Sequence, residues 1–178
     1  MTDLFDDEMN QMDELEFAEN PKIEKAVSVE DPISTLERQK MVVIESGTKV
    51  ADALNLFQTE GVGCVLIQKK EKLTGIFTER DVIWKLAGKG LDYSSEAVDG
   101  FMTKAPDVLQ MDDPIAFALN RMTEGGYRHV PIVNDDGRPM GIVGILDIVK
   151  HLASYYSEEI MNLPPSPLRG AQDRPEGG

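Results

Sequence analysis

Apolar residues recur at helical spacing in two places along the chain. Val50, Ala53, Leu54 and Phe57 stand at i, i+3, i+4 and i+7, and Ile115, Ala118, Leu119 and Met122 repeat the stripe further on. This spacing predicts two amphipathic helices, each burying one face. Thr48 is placed to cap the first, and Asp113 followed by Pro114 to start the second. After each helix comes a short apolar run, Cys64-Val65-Leu66-Ile67 and then His129-Val130-Pro131-Ile132, which reads as a strand. A turn follows in each case, at 69–72 and at Asn134-Asp135-Asp136-Gly137, the second one residue longer. Gly75-Ile76-Phe77 and Gly141-Ile142-Val143 then lead into helices that share Asp81 with Asp147, Val82 with Ile148, Ile83 with Val149 and Leu86 with Leu152. Upstream, Met41-Val42-Val43-Ile44 corresponds to Pro106-Asp107-Val108-Leu109.

The parallel between the two stretches is an internal repeat, which organises the chain before any single motif does. In the eight helix positions from Val50 and from Ile115, four residues are identical. Each copy reads strand, helix, strand, strand, helix. Neither copy alone has much core, and two facing each other bury both sheets, so an α/β (α+β) architecture of two βαββα repeats about a pseudo-two-fold axis is expected. The expected divisions are an acidic, flexible tail at 1–31, the repeats at 32–95 and 96–156, and a Pro/Gly-rich tail at 157–178. Phe5, Met9 and Met12 could line one face of a short helix in the first tail. The linker at 88–103 carries a helical turn near Val98, and Pro164-Pro165-Ser166-Pro167 has PxxP spacing within an extended tail.

Charge changes the picture of possible partners. The formal net charge is −14, but residues 1–31 hold eleven acids against two lysines, whereas 41–155 hold sixteen acids against twelve bases. The acidity belongs largely to the tail, and the chain lacks the basic footprint that nucleic acid or anionic lipid requires. With an apolar fraction of 41%, a sizeable core is available. A single cysteine, Cys64, leaves no intrachain disulfide and no thiolate metal cluster. The acidic first residues do not look like a signal peptide, and no apolar run approaches the roughly 20 residues of a membrane span. A soluble cytoplasmic protein without metal is expected.

Gly75-Ile76-Phe77-Thr78-Glu79-Arg80-Asp81 resembles the signature of CBS (cystathionine β-synthase) domains: glycine, two apolar strand residues, Ser or Thr, two variable residues, then Asp. Gly141-Ile142-Val143-Gly144-Ile145-Leu146-Asp147 is similar, with Gly144 where the hydroxyl residue belongs. Gly126-Tyr127-Arg128-His129-Val130-Pro131 also resembles the start of the middle strand in bacterial stand-alone CBS pairs. The likeness covers roughly 32–156. It implies a disc-shaped homodimer and a regulatory adenine-nucleotide ligand (AMP, ADP, ATP or a related adenosyl compound), sensed by a separate protein target.

The residues make a physical case of their own. Thr78 and Asp81 stand where a strand ends and a helix begins, and the free N–H groups of a first helical turn suit a phosphate. A carboxylate one turn in can accept from both vicinal hydroxyls of a ribose, each bond worth about 1.5–3 kcal/mol. Arg80, Arg128 and His129 are placed to reach phosphate oxygens, with Tyr127 beside them, the alternatives being a surface ion pair for Arg128 and a core-edge histidine for His129. Val108 with Val43, Ile44 and Leu109 offers apolar walls for adenine or plain core. The cleft anchored by Asp147 is expected to gain Arg128 and His129, giving two clefts of unequal affinity. Thr78-x-x-Asp81 also fits a capping box, in which Asp81 serves only the helix. Gly144 cannot form the reciprocal box, so Asp147 is expected either to have another use or to interact with the helix dipole. Trp84, the sole tryptophan, is expected to pack.

Three functions follow from these residues. The first is a nucleotide-binding regulatory module, the second a ligand-free dimerisation scaffold. The third is a nucleotide-processing enzyme using Asp81 or His129 as base. No catalytic residue is assigned, because the chain offers no activated nucleophile, no Walker-type loop and no metal-ligand cluster.

Overall fold

The computed structural model describes residues 30–155. In chain order the elements are β1 (Val43–Glu45), α1 (Val50–Glu60), β2 (Cys64–Lys69), β3 (Lys72–Thr78), α2 (Glu79–Asp81), β4 (Thr103–Lys104), α3 (Ile115–Gly125), β5 (His129–Val133), β6 (Pro139–Gly144) and α4 (Ile145–Tyr155). The short α2 continues into a π-helical turn, Val82–Leu86, and 3-10 turns form at Ile33–Thr35 and Val98–Gly100. The chain divides into two compact units, one of 29–151 and one of 1–28 with 152–178. The first holds every element up to His151, and of the second only 152–155, the end of α4, is described. The readings made for residues 1–29 and 157–178 lie outside the described residues.

Duplication is written into the backbone as well as the side chains. Ile44 pairs in parallel with Ile67, and the equivalent Leu109 forms a parallel bridge to Ile132. Antiparallel pairing then joins β2 to β3 and β5 to β6, with Cys64 opposite Thr78 and His129 opposite Gly144. A register shift interrupts both hairpins at equivalent points, after Ile67 and after Ile132. Helices α1 and α3 both end on glycines in the left-handed conformation, Gly61 (φ 64°) and Gly126 (φ 65°), which a Cβ would disfavour. The copies differ at their edges. The first builds a four-stranded sheet in the order β1-β2-β3-β4, while the second keeps only β5 and β6 as full strands.

Alternation along the strands explains the layering. Val65, Ile67 and Phe77 point to one face and bury themselves with Val50 and Ala53 of α1, and Phe77 stacks on Phe57 at 5.7 Å between ring centroids. Cys64, Leu66 and Ile76 point to the other face and meet Ile142 of the second repeat. Both faces of the first sheet are therefore covered, one by its own helix and one by its twin.

The helix starts are satisfied in an unexpected way. Neither Thr48 nor Asp113 caps a helix: the Thr48 hydroxyl donates back to the Glu45 carbonyl at 2.6 Å, and Asp113 Oδ2 accepts from Gln110 N at 2.7 Å. Each closes a local turn instead. The first free N–H of α1, on Val50, donates to the Glu96 carbonyl, and that of α3, on Ile115, donates to the Asp31 carbonyl. Val98 N likewise reaches Thr48 O, and Ile33 N reaches Asp113 O. The segment leading into each repeat thus crosses over and caps the first helix of the other, so backbone carbonyls take over the role that a side-chain cap would have filled. Ile33 and Val98, the equivalent apolar residues of the two arms, are both wholly buried.

Trp84 is not buried among the described residues: it is 76% exposed, beside Ile83 at 65%. The turn is anchored by Asp81 and Leu86, which take the inward positions and leave Ile83 and Trp84 facing out. Among the described residues no helix is long and apolar enough to cross a membrane.

If the crossed arms hold the repeats together, truncating either anchor destabilises the whole unit. Ile33→Ala should cost about 2–4 kcal/mol in urea denaturation and Val98→Ala about 1–3 kcal/mol, each with one cooperative transition. Separate melting of the two repeats would show that the arms do not couple them.

Candidate functional site

Strand β3 ends at Thr78, whose extended backbone turns the chain into α2. The Thr78 N–H and hydroxyl both donate to Asp81 Oδ2, at 2.9 and 2.8 Å, and Asp81 N approaches the Thr78 oxygen at 3.3 Å. Lys85, one turn on, pairs with Asp81 Oδ1 at 2.6 Å. The capping box is therefore formed in full, and Asp81 is buried within it. In the second copy Gly144 N donates to Asp147 Oδ2 at 2.7 Å, the backbone half of the same box. Retention of Asp147 without a hydroxyl partner thus has a local explanation in the bond it accepts from the Gly144 backbone.

A cavity of about 410 Å³ opens beside this turn. Thr78, Arg80, Asp81, Tyr127, Arg128 and His129 all line it, so six of the residues picked from the sequence converge from both repeats. Val108 and Asp147 are not among its walls. Pro106 and Asp107 line it instead, and Val108, next along the extended segment, turns outward and is 43% exposed. Asp147 lies at the start of α4, against the backbone of Gly144.

The expectation that Arg128 and His129 would belong to an Asp147 cleft is corrected by the same packing. The start of β5 lies against the first repeat's helix start: a Cβ on Gly63 would stand 3.7 Å from His129 Cε1 and 3.5 Å from Glu79 Oε2. Arg80 Nη1 donates to the Gly126 carbonyl at 2.6 Å, which ties α2 to the end of α3. The backbone of each strand start serves its own repeat's helix, Glu79 N donating to Gly63 O and Ile145 N to Arg128 O. The side chains at the start of β5 reach across, so the cations of the second copy line the cavity beside the carboxylate of the first.

The linker supplies walls that sequence reasoning missed. Thr103 and Lys104 add β4 to the edge of β3, pairing with Ile76 and Gly75, and this carries Thr103, Ala105, Pro106 and Asp107 to the cavity. Ala105 takes a left-handed backbone (φ 44°), uncommon for a residue with a Cβ. Glu79 and Gly125, in or beside the quoted motifs, were legible as neighbours of the site. Nothing in the order of residues placed the linker there.

Electrostatics separates the lining groups. Burial holds the His129 imidazole below its ordinary 6.5, and Arg128 lowers it further while Asp147 and Glu79 oppose. Arg128 is exposed and forms no ion pair among the described residues. The Tyr127 hydroxyl donates to Asp107 Oδ2 at 2.6 Å, and burial together with that carboxylate pushes the phenol up to about 12. At neutral pH the wall therefore presents two guanidinium groups, a neutral imidazole and a neutral phenol around a helix start. Such a set can hold an anionic group on the guanidinium groups while carboxylates accept from hydroxyls.

Known proteins show the same plan. The CBS domain family model matches residues 29–88 and again 98–154. An uncharacterized 17.7 kDa protein from Acidianus ambivalens is 28% identical over 126 residues, 70% of this chain and 75% of its own. Several longer relatives are matched over only 16–24% of their length. The crystal structure of a CBS-domain containing protein from Agrobacterium tumefaciens is 28% identical and superposes with a TM-score of 0.60, covering 67% of this chain and 96% of that one. A CBS domain protein from Pyrobaculum aerophilum, complexed with AMP, has the same fold at 21% identity, TM-score 0.60, covering 69% and 98%. With two copies matched in register and their hairpins duplicated down to the bulge, the chain belongs to the CBS domain family as a tandem pair.

Proposed function

We propose that this protein is a regulatory module that binds an adenine nucleotide, or a related adenosyl compound, in the cavity at Thr78–Asp81. The convergence of Arg80, Arg128 and His129 on one cavity carries the reading, because it gathers cations from both repeats around a single opening. The AMP bound by the Pyrobaculum relative supports the same ligand class. In this reading Thr78 and the cations receive phosphate, and Asp81 takes the ribose hydroxyls in exchange for Lys85, whose side chain is 41% exposed. Tyr127 and Asp107 form a further wall. The functional units are the repeats at 32–95 and 96–156, with flanking tails at 1–31 and 157–178.

Sensing, rather than turnover, fits the chemistry on hand. Burial pushes the Cys64 thiol up to about 12, with Glu79 and Asp147 adding to the shift, so it stays protonated and is a poor nucleophile. A ligand held by two repeats shifts their relative arrangement only by its differential affinity for the two states, and a separate cytoplasmic protein reads that shift. Exposed Ile83, Trp84, Leu146 and Val149 on the helices after the two signatures suit a homodimer contact with a second copy. A ligand-free scaffold is the second reading, favoured by one observation: the capping box already satisfies Asp81.

Nucleotide binding separates these readings. AMP at a hundredfold excess over Kd should stabilise the fold by about 2.7 kcal/mol, a rise of several degrees in Tm, whereas a scaffold shows no shift. Arg128→Ala should weaken AMP at least about tenfold with the unliganded Tm unchanged; equal affinity would remove Arg128 from the site.

Titration of His129 gives a sign. Free His129 is held below 6.5, and a phosphate beside it raises its pKa, so binding takes up a proton and tightens as pH falls through the bound-state pKa. Calorimetry in buffers of different ionisation heat should detect that uptake, and His129→Gln should abolish its histidine component; identical proton uptake in the variant would exclude the contact. Leu146→Glu with Trp84→Glu should convert a dimer to monomer in sedimentation experiments, and an unaltered dimer would place the interface elsewhere.

A further inference from the structure

The second signature carries Gly144 where the first carries Thr78, and the space left by the missing side chain is taken. A Cβ on Gly144 would lie 2.8 Å from Gln39 Nε2 and 3.5 Å from Gln39 Cδ, with Asp147 Oδ2 at 3.4 Å. The amide of Gln39 therefore occupies the place of the absent hydroxyl group. Its Nε2 is fully enclosed and has no hydrogen-bond partner, the one such buried side-chain atom among the described residues. A donor left in this state is unfavourable, so its neighbours must hold it there. On either side of Gln39, Arg38 donates to the Ile33 carbonyl at 3.4 Å and Lys40 pairs with Glu60 at the surface.

The equivalent segment of the other repeat behaves differently. Thr103 and Lys104 are drawn into the sheet as β4, and Thr103 and Ala105 form walls of an open cavity. The arm at 38–40 joins no strand, and its middle residue turns inward instead.

We propose that Gln39, admitted by Gly144, closes the second cleft, so that the pair binds one nucleotide per chain and not two. Gly144 is the permissive partner, because any Cβ at that position conflicts with the amide. Gln39 is thus a specificity-determining residue for the module, fixing how many ligands it takes and which repeat's helix start receives them. The proposal rests on the nucleotide reading of the first cleft.

The test is calorimetric titration of the full chain with AMP. Wild type should bind one AMP per chain, and Gln39→Ala should bind two. Gln39→Ser serves as a second opening variant should alanine disturb the fold. The double variant Gln39→Ala with Arg128→Ala should retain the second site while the first weakens. Two sites in wild type, or one site in both opening variants, would overturn the closure. No AMP binding to wild type but one site in Gln39→Ala would refute the first-cleft reading and leave the closure standing. No binding to any of the proteins would remove both.

Discussion

The first N–H of α1 and the first N–H of α3 are each answered by a carbonyl from the arm of the opposite repeat. Val50 finds Glu96 and Ile115 finds Asp31, and buried Val98 and Ile33 anchor the same two crossings. A helix start needs such partners somewhere, and here they are supplied by exchange and not by local side chains. The exchange fixes which repeat faces which and in what register. With the repeats so placed, Cys64, Leu66 and Ile76 meet Ile142 across the interior, and the second sheet face of the first repeat is covered.

The cavity is a by-product of that register. It lies where the start of β5 comes against the turn at Thr78, so its walls belong to both repeats and to the linker. Neither repeat alone contains the set of Arg80, Asp81, Arg128 and His129. A ligand in such a position touches the relation between the lobes as much as either lobe, which suits a module whose output is geometry. The same exchange gives the two clefts different rims: an edge strand at 103–104 on one side, and an inward-turned Gln39 on the other.

Much of the fold was legible from residue order. Apolar stripes at helical spacing marked α1 and α3, and the short apolar runs at Cys64-Val65-Leu66-Ile67 and His129-Val130-Pro131-Ile132 marked β2 and β5. The helix caps were not legible, because Thr48 and Asp113 look like N-caps until the competing carbonyls of Glu96 and Asp31 are seen in space. Trp84 was misread for a related reason: its size argued for burial, but Leu86 holds the inward position on that turn. In the site, the Thr78-to-Asp81 motif and the Tyr127-to-His129 motif were each visible, while their meeting was not. Residue order could not assign each cation to one cleft, since partners across a pseudo-two-fold carry no signal in either copy; in the structure Arg128 and His129 line the cavity beside Asp81. The linker walls and Gln39 were invisible for the same reason.

The crossed arms also bear on how the chain is made. The first repeat can assemble once residues through Lys104 have left the ribosome, for its sheet and the cap of α1 are then complete. The arm at 31–34 must wait, because Met111, Asp113 and Ile115 are synthesised roughly eighty residues later. During that interval Ile33 has no second repeat to bury it. A nascent chain of this design carries an unquenched apolar strap through those roughly eighty residues of synthesis, and whatever keeps that strap from sticking elsewhere governs the yield of folded protein.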